Sequence, residues 1–353
     1  MKLLFFPRYN KKGASSRYRI YQYLPFFKGF NIHTYPFFNN NYSPNYNYKS
    51  LMGILFLISC YSKRFYNMFK LLNKHNICLV QYEFTPYLPF NIFWFRIFNI
   101  KYIVDLDDAV FHQYDQSNNM IIRNILKNKI STVIKNADYV ITGSPYLTKY
   151  AFKYNKNVLE IPTSINIDNY KWFNKDKSDK FIIGWIGSKT TSNNLITLIP
   201  VFESLQKQEF NFELRFIGFD EELYTKFKHL PLKQIKWEPN TEVIEISKFD
   251  VGIMPLNDNL FNKGKCAFKL IQYMACGIPT ISTPLEANIK VNRSGNNLFS
   301  KNNTEWEENF KYCYDNLNIL RKSGIQNRSI VEKHYTVQVN YNKYINIFES
   351  FKN

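Results

Sequence analysis

The segment Gly264-Lys265-Cys266-Ala267-Phe268-Lys269-Leu270-Ile271-Gln272-Tyr273-Met274-Ala275 spaces two lysines and a glutamine four and three residues apart. On a helix over 265–275 this spacing puts Lys265, Lys269 and Gln272 on one face, with Phe268, Ile271 and Ala275 on the opposite, core-facing side. The following Cys276-Gly277-Ile278-Pro279 stops the helix, since Gly readily takes the left-handed cap and Pro follows where the helix has ended. Two cations at a helix N-terminus oppose the positive end of its dipole. The arrangement makes sense where an anion such as a diphosphate supplies the missing charge; lysines on a solvated face are the plain alternative.

A second anion-binding candidate is the turn Gly187-Ser188-Lys189-Thr190-Thr191, which leaves an apolar strand and opens a helix. Its glycine allows close backbone approach, and its hydroxyls and Lys189 add donors for phosphate oxygens. It is neither a Walker loop nor a dinucleotide fingerprint, and simple helix capping explains the same residues. In the first half, Asp105, Asp107, Asp108 and His112 gather at a strand end. Carboxylates there can orient an acceptor hydroxyl or stabilise positive charge at a reacting carbon, and so many acids also suit a metal. Gly13, Ser15 and Arg17 follow the first strand, where Arg17 can bind phosphate or an acceptor and a flexible loop is the alternative.

These residues need a scaffold, and 353 residues suit two domains better than one. Residues 181–186, 212–217, 234–237, 251–254 and the pair Thr280-Ile281 read as strands alternating with helices over 189–205, 221–229 and 241–247. That is the pattern of a parallel sheet covered on both faces. The first half repeats it with strands at 2–6, 30–34, 77–81, 102–105, 139–142 and 158–161, and helices at 16–27, 51–72 and 120–135. The Asn- and Tyr-rich stretch 42–49 reads as a loop. The polar stretch 174–180 reads as the linker between an N-terminal domain over 1–173 and a C-terminal one over 181–335, with a last helix at 336–353. Two such α/β domains place a ligand where the carboxyl ends of their strands face a shared cleft.

The order Gly184-Trp185-Ile186-Gly187-Ser188-Lys189, then Phe249-Asp250-Val251-Gly252-Ile253-Met254-Pro255-Leu256, then the lysine-bearing segment with Gln272-Tyr273-Met274-Ala275-Cys276-Gly277-Ile278-Pro279, resembles the retaining glycosyltransferases of the GT-B fold, in the broad family 4 or group 1 type. Gly295, Asn297-Leu298-Phe299 and a terminal aromatic helix extend the likeness, which is strong from 181 to 335. It implies two Rossmann-like domains facing a cleft, with the C-terminal helix crossing back to the first. It also implies transfer of a sugar from a nucleoside diphosphate sugar to a saccharide or lipid-linked acceptor. By resemblance, Gly187, Ser188, Lys189, Thr191, Trp237, Lys265, Lys269 and Gln272 bind the donor; Asp107, Asp108 and Lys269 carry catalysis; and Gly13, Ser15, Arg17 and His112 line the acceptor side. No cofactor beyond the donor and no metal is expected, because this fold neutralises a leaving diphosphate with cationic side chains and helix ends. One departure stands out: many members carry two glutamates eight positions apart, and the matching positions are Gly264 and Gln272. Their absence leaves two other readings open, a sugar-nucleotide epimerase and a non-catalytic basic protein that binds membrane or nucleic acid.

Charge separates the halves. Residues 1–175 hold 23 Lys and Arg against 8 Asp and Glu, so +15 of the net +18 lies there. Such a field suits anionic headgroups, an anionic substrate or nucleic acid. With a lipid-linked acceptor in view, peripheral contact with an anionic membrane is expected and nucleic acid is not. The aromatics Phe93, Trp94 and Phe95 beside Arg96 are candidates for that contact. The five scattered cysteines form neither a zinc pattern nor a disulfide framework. The apolar runs are shorter than the ~20 residues of a spanning helix, and the expected location is cytoplasmic, with reduced thiols.

Overall fold

The computed structural model describes residues 2–39, 50–72, 76–89, 95, 97–171, 179–293 and 297–352, and the chain divides into two units. The first comprises Met1–Ser164, Gly264–Cys266 and Asn340–Asn353; the second comprises Ile165–Lys263 and Ala267–Val339.

In the first unit, strands β1 (Lys2–Phe6), β2 (Asn31–Thr34), β3 (Asn76–Gln81), β4 (Tyr102–Leu106), β5 (Tyr139–Thr142) and β6 (Val158–Glu160) form a parallel sheet in the order β2-β1-β3-β4-β5-β6. Leu3–Phe6 and Tyr102–Leu106 are buried throughout, the continuous apolar run expected where helices cover both faces of a sheet. The order reverses between β1 and β3. Ligands bind beyond the carboxyl ends of the strands at such a switch point.

In the second unit, β7 (Phe181–Ile186), β8 (Phe212–Ile217), β9 (Leu232–Ile235), β10 (Val251–Met254), β11 (Thr280–Ser282) and β12 (Leu298–Phe299) form the parallel order β12-β11-β10-β7-β8-β9, which reverses between β7 and β10. Alternation along β7 divides the core. Ile182 and Ile186 pack with Leu270, Ile271 and Met274, whereas Ile183 and Trp185 pack with Phe202, Phe216 and Phe310.

Most of the expected strands stand where they were read, and the helices differ more. The helix expected over 16–27 is a turn at Ala14–Ser16, a π-helical turn at Arg17–Tyr21 and a 3-10 turn at Leu24–Phe26. Residues 120–135 form two helices, Met120–Leu126 and Lys129–Asn136. The helix expected from 265 begins at Phe268, because Ala267 takes the left-handed backbone conformation (φ 53°) and interrupts any helix through it. It ends as expected, with Gly277 at φ 71° and the Ile278 amide donating to the Tyr273 carbonyl. The first unit ends at Ser164, upstream of the expected boundary at 173; most of the expected linker and the stretch 42–49 lie outside the described residues. The last helix, Val337–Ser350, begins in the second unit, and its residues from Asn340 onward belong to the first. Its aromatic side chains account for that: Tyr344 lies against Tyr23 at 4.9 Å, and Phe348 meets Phe27 at 5.3 Å and Phe5 at 5.9 Å between ring centroids.

All five cysteines are buried free thiols. Burial pushes every one of them upward in pKa, Cys313 to about 12. Since the thiolate is the reactive form, the native protein should release almost no thionitrobenzoate from Ellman's reagent in minutes, and all five equivalents once denatured. A rapid native equivalent would show that one of these thiols is reachable.

Candidate functional site

In the second unit, β7 ends at Ile186 and the chain turns through Gly187 and Ser188 into the single helical turn Lys189–Ser192. Ser188 and Thr191 cap this turn reciprocally: the Ser188 amide donates to Thr191 Oγ1 at 3.0 Å, and the Ser188 hydroxyl accepts from the Thr191 amide. Lys189 Nζ donates to Glu222 Oε1 at 2.5 Å and lies 3.5 Å from Asp220. The hydrogen bond to Glu222 and the charge of Asp220 raise its pKa.

Lys269 lies in the first turn of the helix Phe268–Ala275, whose N-cap, Ala267, makes no side-chain capping bond. Its Nζ sits 5.3 Å from the centroid of the buried Trp185 ring on β7, beside the strand at which the sheet order reverses. The other end of this helix carries a cation where the dipole favours one: Arg328 Nη1 donates to the Ala275 carbonyl at 2.7 Å. A cation at the N-terminal end has no such support from the helix itself, and an anion placed there satisfies both the lysine and the backbone N–H groups.

Gln272 is buried and faces protein partners. Its Nε2 donates to Glu242 Oε1 at 2.8 Å and to the Tyr170 hydroxyl at 3.1 Å, while the Trp237 indole N–H donates to Glu242 Oε2 at 2.5 Å. The expected stripe of Lys265, Lys269 and Gln272 is therefore not formed. Lys265 precedes the helix and belongs to the first unit, Lys269 opens the helix, and Gln272 points into a buried polar knot. Neither Tyr170 nor Glu242 was legible as a partner of Gln272, since the three positions are far apart in sequence.

In the first unit, the segment Gly264–Cys266 lies along the acidic end of β4. Lys265 Nζ pairs with Asp108 Oδ1 at 2.8 Å, and Cys266 Sγ donates to the Asp107 carbonyl at 2.9 Å. Burial works against the charge on Lys265, but Asp108 outweighs it and raises the pKa above 10.5. Gly264 has no space for a side chain: a Cβ there would lie 2.5 Å from Ala109 Cβ and 2.8 Å from the Ala109 nitrogen. The absent glutamate at this position is thus enforced by packing.

Asp107 accepts from Ser15 Oγ at 2.6 Å, and Ser15 also meets the Tyr82 hydroxyl at 2.9 Å. Gln81 joins them, its Oε1 accepting from Ser16 Oγ at 2.6 Å and from the Arg8 amide at 3.0 Å. Burial, then Asp107, push the Tyr82 phenol well above its ordinary pKa, which keeps it a neutral donor. Tyr82 itself has φ 62°, a conformation that non-glycine residues adopt at a cost of order 1–3 kcal/mol. Asp105 plays a different part: it is fully buried and clamped by Arg19 through Nε at 3.0 Å and through Nη2. Burial opposes the charge on Arg19, but the two-pronged contact with Asp105 dominates and holds the guanidinium well above its ordinary pKa. His112 has both ring nitrogens engaged, Nδ1 with Asp115 at 2.9 Å and Nε2 with the Tyr146 hydroxyl at 2.9 Å. Arg17 lies over the Tyr18 ring at 4.8 Å, and Gly13 precedes the helical turn. The sequence analysis named Ser15, Asp107 and Asp108 but not Gln81, Tyr82 or Arg19, which only the β1–β3 switch point brings to them. Among the described residues, no three His, Cys, Asp or Glu side chains form a metal-binding group.

Comparison with known proteins bears on both units. Residues 180–316 match the family model described as glycosyl transferases group 1. Sucrose-phosphate synthase from Thermosynechococcus elongatus is similar in structure over 99% of this chain and 99% of its own, with a TM-score of 0.74 and 13% identity. HepE from Anabaena, solved in complex with UDP-glucose, is similar over 99% of this chain and all of its own, with a TM-score of 0.70 and 12% identity. A glycosyltransferase from Rickettsia africae is similar over 99% and 98%, with a TM-score of 0.67 and 14% identity. At these identities the likeness is one of fold, the GT-B arrangement of two parallel-sheet domains. No curated protein matches the chain in sequence.

Proposed function

With a glycosyl transferases group 1 domain over residues 180–316 and the GT-B fold over the whole chain as premise, we propose that the protein transfers a sugar from a nucleoside diphosphate sugar to a saccharide or lipid-linked acceptor, with retention at the anomeric carbon. The observation that carries the reading is Lys269, a cation in the first turn of the helix Phe268–Ala275 beside the β7–β10 switch point. There the lysine and the helix end together stabilise the charge that develops on a departing diphosphate. HepE is known in complexes with UDP-glucose and with UDP and glucose, so uridine donors are the first probes. The turn Gly187–Thr191 supplies backbone and hydroxyl donors at the end of β7, with Lys189 braced by Glu222.

The acceptor side falls to the acidic end of β4. Ser15, Gln81 and Tyr82 fix Asp107, and Lys265 pairs with Asp108, the more open of the two carboxylates. A carboxylate held this way can orient an acceptor hydroxyl and stabilise positive charge at the anomeric carbon.

Thermal shift against a panel of nucleoside diphosphates tests the donor reading, because a ligand specific for the native state raises stability by mass action; no shift with any of them overturns it. Turnover without acceptor would point to an epimerase. Product anomers read by NMR decide retention. Asp108→Asn should lower turnover about tenfold to a hundredfold and leave diphosphate affinity nearly unchanged, as titration calorimetry would show. Full turnover in this variant would reduce the carboxylate to a structural partner of Lys265. Chelator is expected to leave turnover unchanged.

A further inference from the structure

The helix Leu51–Met68 turns the usual amphipathic pattern inside out. Its buried residues are Gly53, Cys60, Arg64 and Met68, a small, polar and cationic set with one large apolar member. Its outer stripe runs through Leu51, Leu55, Ile58, Ser62 and Tyr66, spaced four, three, four and four residues apart, and so lies on one side of the cylinder. Leu51, Met52, Leu55 and Ile58 each expose more than half of their surface. A water-facing helix carries polar residues on this side, so a contiguous apolar stripe calls for an occupant.

Arg64 shows why the buried side tolerates a cation. Its guanidinium lies 5.1 Å from the Phe6 ring and 5.2 Å from the Phe84 ring, and Nη2 donates to the Pro7 carbonyl at 3.1 Å. That packing fixes the rotation of the helix and with it the outward stripe.

Charge identifies the occupant. Residues 1–82 hold 12 Lys and Arg and no Asp or Glu. Lys63 and Lys70 are both exposed beside the stripe, seven residues apart and so on one edge of it, with Lys70 Nζ 4.4 Å from the Tyr35 ring centroid. We infer that this helix lies on an anionic lipid surface, its apolar stripe in the headgroup and acyl boundary and its lysines among the lipid phosphates. At 18 residues the helix is ~27 Å long, and such helices bind in the plane of the interface through apolar area plus attraction to anionic lipid. A second copy of the chain is the weaker occupant. A two-fold interface sets the same patch against itself, which here places basic edge against basic edge. The candidate anchor at 93–96 contributes no observed surface: Phe95 is buried in the first unit's core, and its three companions lie outside the described residues.

Flotation of the full chain with phosphatidylcholine vesicles, with and without phosphatidylglycerol, tests the inference. The wild type should bind the anionic vesicles and lose most of that binding at high salt. Leu55→Ser with Ile58→Ser should lower the partition coefficient by roughly tenfold or more, whereas Ile319→Ser, an exposed apolar change in the second unit, should not alter it. Equal binding by the double variant, or no binding by the wild type, overturns the inference. So does light scattering that shows the double variant dissolving a dimer while vesicle binding stays the same. Ile58→Trp keeps the test decisive if the double variant folds poorly: its emission should be quenched by brominated anionic lipid, and unquenched emission counts against the bilayer.

Discussion

Lys269→Ala is expected to lower donor turnover by about two orders of magnitude, the scale seen when one preorganised donor is removed from a developing charge. Nucleoside diphosphate affinity should fall about tenfold or more, since a charge-assisted contact is lost. The fold should persist. Lys269 is only half-buried at the helix surface, and deleting it relieves a cation from the positive end of the helix dipole. The unliganded melting temperature should therefore hold or rise slightly, while the diphosphate-induced shift shrinks. Lost turnover with unchanged diphosphate affinity would remove the lysine from the donor site. Lys265→Ala is expected to act in the same direction with less effect on affinity, because Asp108 already balances its charge.

The other large effect concerns stability. Arg19 and Asp105 are fully buried and face each other through two hydrogen bonds, and Arg19 Nη1 also donates to the Ile161 carbonyl at 2.6 Å. Arg19→Met leaves a carboxylate inside the core without its cation, a change that costs about 3–5 kcal/mol. Adding Asp105→Leu to it should restore a good part, because buried pairs replaced by apolar side chains are often near neutral. Urea denaturation of both variants measures this. If the single variant were as stable as the wild type, the ion pair would not anchor the π-helical turn to β4.

The strands were legible because a parallel sheet buried on both faces leaves continuous apolar runs, as at Phe181–Ile186 and Val251–Met254. Where the helix at Lys265 and Lys269 begins was not, because spacing carries no sign that Ala267 adopts a left-handed backbone. The π-helical turn at Arg17–Tyr21 escaped for a similar reason: its geometry answers to Arg19 reaching Asp105, a contact 86 residues away in sequence. The acidic strand end was visible as residue types, yet its organisation was not. Gln81 and Tyr82 reach Asp107 only through the β1–β3–β4 order, which no local pattern encodes. On the donor side the position of Lys269 was read correctly from helix electrostatics, and the inward turn of Gln272 was missed because its partners come from three separate segments.

The polar knot around Gln272 restricts how this chain can drift toward its relatives. A glutamate at 272 would set a second carboxylate 2.8 Å from Glu242, and two carboxyls that close share a single proton rather than both ionising. The neutral amide and the neighbouring acid are therefore locked as a complementary pair: either may be inverted only together with the other. A lineage that carries the acid on helix Glu242–Ser247 has, in effect, closed the one-step route to an acid on helix Phe268–Ala275.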